Sequence, residues 1–137
     1  MRYLFCVAAL ISTLVVVRAA AAQDAKPVPA TPDNVASFLG EWTLAVSNSQ
    51  YGNTTITLLV KSADGKVTGQ VTDATGSRGV TLSKSGTSLV ATYTFDNNGM
   101  QVDTVITLTP NDKEKRTDAL VDFANGAAQF TGTATKK

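Results

Sequence analysis

From Trp42 to about Thr135 the chain alternates apolar and polar positions in short Thr/Val-rich runs, each closing on a turn signal such as Asp64-Gly65, Asn98-Gly99 or Asn125-Gly126. A period of two sends successive side chains to opposite faces, so each run predicts a strand with one apolar face. In the first run Trp42, Leu44 and Val46 oppose Thr43, Ala45 and Ser47. The second points Ile56, Leu58 and Val60 inward, with Leu59 breaking the alternation outside, and the third, Lys66 to Thr72, points Val67, Gly69 and Val71 inward. Val80 and Leu82 mark a fourth strand, and Leu89, Ala91, Tyr93 and Phe95 a fifth. A sixth, Met100 to Thr109, places Met100, Val102, Thr104, Ile106 and Leu108 on one face. Ala119, Val121 and Phe123 face inward from the seventh, Thr117 to Phe123, as do Ala128, Phe130 and Gly132 from the last, Ala128 to Thr135.

Turns of roughly two to six residues can join only neighbouring antiparallel strands, because parallel crossovers need a dozen residues or more. The predicted fold is therefore all-β: an eight-stranded antiparallel up-and-down β-barrel, a closed meander preceded by a short helical turn. Closure is expected because an open meander would leave two edges that neither proline nor a row of inward charge defends. A barrel of about eight strands is either filled by side chains or holds one small ligand, and the pattern leaves both open. A faint echo at a shift of fifty residues lays Thr54, Ile56, Thr57 and Leu58 on Thr104, Ile106, Thr107 and Leu108, suggesting two similar halves.

Ahead of the ladder the pattern changes. A basic start at Arg2, an apolar run to Val17 and Ala19-Ala20-Ala21-Ala22 predict a signal peptide over residues 1–22. Arg18 keeps the run short of the roughly 20 apolar residues a membrane span needs. Residues 23–32, with Pro27, Pro29 and Pro32, predict a flexible tether, and 33–137 a single domain. Val35, Phe38 and Leu39 fall at helical spacing between Asp33, placed to cap, and Gly40, placed to stop.

Composition narrows the function. Cys6, the only cysteine, leaves with the leader, so the exported chain would have no thiol and no disulfide. Loss of Arg2 and Arg18 leaves ten Lys/Arg against eleven Asp/Glu, mixed along the chain, which offers no footprint for nucleic acid. Lys113-Glu114-Lys115-Arg116 reads as a solvated turn. The chain has no histidine, which excludes a Ser-His-Asp triad and most zinc sites. Asp103, Asp118 and Asp122 point outward, as solubilising carboxylates rather than a catalytic acid and base. Asp96-Asn97-Asn98-Gly99 has oxygens for calcium but the form of a tight hairpin. Asn53-Thr54-Thr55 fits a glycosylation acceptor, relevant only in a eukaryotic source. No catalytic residue, metal site or cofactor is expected.

Gly40-Glu41-Trp42, opening the first strand after a helical turn, resembles the G-x-W start of calycins, the lipocalin and avidin group. Lys66-Val67-Thr68-Gly69-Gln70-Val71 resembles the small-residue strand of avidin-like barrels, and the whole is similar to short exported bacterial barrels of unassigned function. The resemblance implies that the short helix closes one end of the barrel with Trp42 packed over it, Lys136 standing where an arginine would follow the last strand. Thr117-Asp118-Ala119 does not substitute for the group's Thr-Asp-Tyr motif, and a single tryptophan does not support biotin binding.

In an up-and-down barrel alternate turns share an end. The turns after strands one, three, five and seven then meet opposite the plug and present Asn48, Ser49, Gln50, Tyr51, Asn53, Asp73, Asn97, Asn98 and Asn125. Tyr51, Phe95, Met100 and Phe123, with Trp42 and Tyr93 deeper, are the expected ligand-binding residues. Two readings follow. One is an exported, periplasmic or extracellular, non-enzymatic binding barrel for a small apolar or amphipathic ligand. The other is an envelope or extracellular protein–protein interaction module, an inhibitor or assembly accessory, with a filled barrel and an outer patch of Leu59, Val105 and Leu120. Either would be a monomer, without nucleic-acid partners and not inserted in a membrane once the leader is removed.

Overall fold

In the computed structural model, which describes residues 26–137, the alternating runs become β2 (Gly40–Asn48), β3 (Gly52–Ala63), β4 (Lys66–Asp73), β5 (Gly76–Ser85), β6 (Ser88–Asn97), β7 (Met100–Asn111), β8 (Arg116–Phe123) and β9 (Ala128–Lys136). The expected leader with Cys6 and the first residues of the tether lie outside the described residues. Every strand is antiparallel to its chain neighbour, and β9 returns to pair with β2, so the meander closes into an eight-stranded barrel. The turns work as their residues dictate. Asp64 and Gly65 (φ 53° and 74°) and Asn98 and Gly99 (φ 54° and 85°) both take the left-handed region, as a two-residue hairpin turn that follows the twist of its strands requires.

The inward face is the one the alternation specifies. Leu44, Val46, Ile56, Leu58, Val60, Val71, Leu89, Ala91, Ile106, Leu108 and Val121 are all buried, and they fill the barrel through most of its height. Burying each large aliphatic side chain contributes roughly 1.5–3 kcal/mol. The fifty-residue echo is structural at its centre: Ile56 and Leu58 on β3 and Ile106 and Leu108 on β7 are inward and buried.

β5 is shared. Gly76–Val80 pair with β4 and Thr81–Ser85 pair with β6, so the strand changes partners at its midpoint. Two gaps result, one at each end. At the end carrying the chain start, the free edge of β5 is covered by β1 (Val28–Pro29), whose residues face Lys84 and Ser83, and Ala30 N donates to Leu82 O at 3.3 Å. Part of the expected tether is thus tied to the sheet. Pro29 is tolerated because β1 is an outermost strand, where a missing donor breaks no interior ladder.

The expected helix is a single 3₁₀ turn, Ala36–Phe38, and Asp33 does not cap it. The chain is held instead by Thr31 and Asn34: Thr31 N donates to Asn34 Oδ1 (2.8 Å), and Asn34 N to Thr31 Oγ1 (3.2 Å). This turn seals the barrel. Trp42 Nε1 donates to Phe38 O at 2.8 Å, the two rings meet at 6.1 Å, and Lys136 Nζ lies 5.8 Å from the centre of the Trp42 ring. Lys136 therefore does stack on Trp42, and Gly40, at φ 123°, leaves it room, since a Cβ there would lie 3.0 Å from Lys136 Cε. No helix among the described residues is long and apolar enough to cross a membrane.

Candidate binding site at the Tyr51 end

The turns β2–β3, β4–β5, β6–β7 and β8–β9 meet at the end opposite Phe38 and Trp42, as strand parity requires. There the filled interior stops short of the rim and leaves an open cleft of about 330 Å³, with Ile56 on its lining and Tyr51, Phe95, Phe123 and Phe130 around it. The rings form a continuous chain. Tyr51 stacks on Phe130 (6.2 Å), Phe130 meets Phe123 edge to face (5.5 Å), and Phe123 meets Phe95 likewise (6.2 Å). Tyr93 lies one layer deeper, 6.3 Å from Phe95. Tyr51 remains 63 % exposed, at the edge of the opening.

A charged pair borders the rings. Asp73 and Arg78 both continue the inward faces of their strands, Asp73 two residues beyond Val71 and Arg78 two before Val80. Arg78 Nη1 is 3.6 Å from Asp73 Oδ2, Arg78 Nη2 donates to Thr75 Oγ1 (2.9 Å), and Asp73 Oδ1 accepts Thr75 N (2.8 Å) and Thr75 Oγ1 (2.5 Å). The Arg78 guanidinium lies 5.3 Å over Phe95 and 5.7 Å over Tyr93. That reach has a topological reason. Beyond Thr92 strand β6 has no partner on β5, and Arg78 bridges the resulting gap by laying a cation on aromatic faces.

Tyr93 Oη and Thr104 Oγ1 are both buried, and although the two residues face each other in register, neither reaches a partner at hydrogen-bonding geometry. Burial, and then the Asp73 carboxylate, push the Tyr93 phenol above its ordinary value of 10.0, while the Thr104 hydroxyl and the Arg78 guanidinium act the other way. Because burial makes the phenol harder to ionise in the folded state, its titration leaves stability untouched below the unfolded pKa and lowers it as pH rises through the folded value. Tyr93→Phe is accordingly expected to be neutral or stabilising by up to about 1 kcal/mol at pH 7, since it deletes an unpartnered buried hydroxyl. It should also flatten the decline of stability above pH 10, as read by urea unfolding of parent and variant from pH 7 to 11.

Three expected residues, Tyr51, Phe95 and Phe123, come together at the cleft, with Tyr93 behind Phe95. Met100 does not. It is 70 % exposed, because the β6–β7 hairpin overhangs its neighbours: β8 pairing ends at Thr104–Phe123, so Met100 has the inward parity but no interior to face. Trp42 lies under the 3₁₀ plug at the far end and takes no part in the cleft. Phe130, Ile56 and Asp73 complete the lining, and Arg78 lies behind it against Asp73 and Phe95. Phe130 and Ile56 have the expected inward parity without being expected ligand residues, and Arg78 is hidden because Gly76-Ser77 reads as turn, although the alternation carried back from Val80 places it inward.

The larger hollow elsewhere lacks aromatic walls. A shallow depression of about 520 Å³ lies on the outer wall over β7, β8 and β9, lined largely by threonines with Leu120 and Asp118. Leu59 is half-buried and separated from Leu120 by β2 and β9, so Leu59, Val105 and Leu120 do not form one patch. The outward aspartates have local roles. Asp103 accepts from Thr94 Oγ1, and Asp122 from Gly126 N. Hydrogen bonds from Arg116 and then Asn111 hold the Asp118 carboxyl below the usual carboxylate range. Compared with known proteins, the chain matches no family model, no curated protein and no solved structure.

Proposed function

We propose that this protein is an exported, non-enzymatic binding barrel of the calycin kind that takes a small apolar or amphipathic ligand at the Tyr51 end. The observation that carries the reading is the cleft itself: four aromatic side chains line one opening of a barrel whose interior is otherwise filled. Space of a few hundred Å³ between aromatic walls, with a few polar groups at the mouth, suits a small molecule. The G-x-W opening, the sealing turn and the Lys136–Trp42 stack support the calycin assignment, and the leader-like residues 1–22 support export. The rival reading, a filled interaction module, loses support because Leu59 stands apart from Val105 and Leu120, with β2 and β9 between them.

Titration with N-phenyl-1-naphthylamine, an uncharged fluorophore that brightens in apolar surroundings, tests this. Saturable one-to-one binding is expected, and Phe95→Ala should weaken it about tenfold, the equivalent of about 1.4 kcal/mol. Because Phe95 sits half-buried on the overhanging hairpin, the same substitution should leave a cooperative unfolding transition. Equal loss of binding and fold would make Phe95 a core residue only.

A further inference from the structure

The cleft has one charged side chain on its lining, and it is an acid. Asp73 stands with the aromatic rings around the opening, whereas Arg78 is not on the lining; it packs over Phe95 and Tyr93 in the gap between β5 and β6. From this arrangement we infer that the ligand carries a positive charge, as an amphipathic amine or quaternary ammonium whose cation is received by Asp73 and the aromatic faces. The inference rests on the reading of the Tyr51 end as a ligand site.

Three features carry it. The face of an aromatic ring is electron-rich and attracts a cation within about 6 Å, and grouped aromatic rings are the usual receptor for quaternary ammonium groups. The protein already uses this attraction here, with Arg78 held 5.3 Å over Phe95. Asp73 also has capacity to spare. Its Oδ1 accepts both the amide and the hydroxyl of Thr75, but its Oδ2 accepts no hydrogen bond among the described residues, and its nearest cation, at 3.6 Å, is too distant to donate one. An anion entering the cleft would meet that carboxylate. The lysines that stack on rings, Lys84 over Phe38 and Lys136 over Trp42, are at the sealed end.

Three ligands that share a benzyl group and differ in charge separate the outcomes: benzyltrimethylammonium, benzyl alcohol and phenylacetate, each titrated against the amide resonance of Thr75. Benzyltrimethylammonium should bind at least tenfold more tightly than benzyl alcohol, and phenylacetate more weakly than either. Asp73→Asn keeps an oxygen for Thr75 and hence the turn, yet should reduce the cation to the level of the alcohol. Arg78→Gln, which removes the competing charge, should strengthen it. Tightest binding by phenylacetate, lost in Arg78→Gln, would overturn the inference in favour of an anion. Equal binding of all three would overturn it and leave an apolar cleft intact, whereas binding of none, together with no response to N-phenyl-1-naphthylamine, would remove the ligand site itself.

Discussion

Gly132→Ala is expected to destabilise the barrel by roughly 3 kcal/mol or more, a large share of the 5–15 kcal/mol available to a domain. Gly132 lies on β9 directly opposite Val46 of β2, on the seam where the last strand closes on the first. A Cβ at this position would run into the carbonyl oxygen of Ala45 and come within 2.8 Å of Val46 Cα. Both obstacles are backbone, so no rotamer relieves them, and only separation of β9 from β2 would. Gly79 is the control. It lies on β5 with open space where its Cβ would be, and Gly79→Ala should change stability little. Urea unfolding followed by the fluorescence of Trp42 measures both; similar midpoints for the two variants would refute the seam argument.

The second large effect is expected at the sealed end. Trp42→Ala removes a buried ring that caps the core, at a cost of about 3–5 kcal/mol, and leaves Phe38 O without its donor. Trp42→Phe keeps most of the packing and loses the hydrogen bond, so roughly 1–2 kcal/mol is expected. Circular dichroism is the appropriate probe, since the variants lack the only tryptophan. A Trp42→Ala protein as stable as its parent would mean that the 3₁₀ turn does not seal the barrel.

Strand order, inward faces and the pairing of turns by parity were legible in the sequence because each depends on a local rule: period two, turn chemistry and short connections. Closure was legible too, since eight short-linked strands with undefended edges have little alternative. The site was legible where it followed from alternation, as at Phe95 and Phe123, and not where it depended on how far each hairpin extends. Met100 has the inward parity yet projects past the barrel, and nothing local encodes the length of β8 beside it. Arg78 hid for a related reason. Its strand changes partners at Val80–Thr81, and a gap between β5 and β6 is a property of the assembled sheet rather than of any single run. The cap at Thr31 and Asn34 replaced the one expected at Asp33 because Asn34 also reaches back to Pro29 O, fastening the turn to β1.

The central claim is that binding occurs at the Tyr51 end of an otherwise filled barrel. Chemical-shift mapping with N-phenyl-1-naphthylamine on isotope-labelled protein tests it most directly. Perturbations confined to Tyr51, Ile56, Phe95, Phe123 and Phe130, with the Trp42 indole N–H unmoved, are the result the structure predicts. Perturbations centred on the outer wall around Leu120 and Thr131, or at Trp42 under the plug, would contradict it.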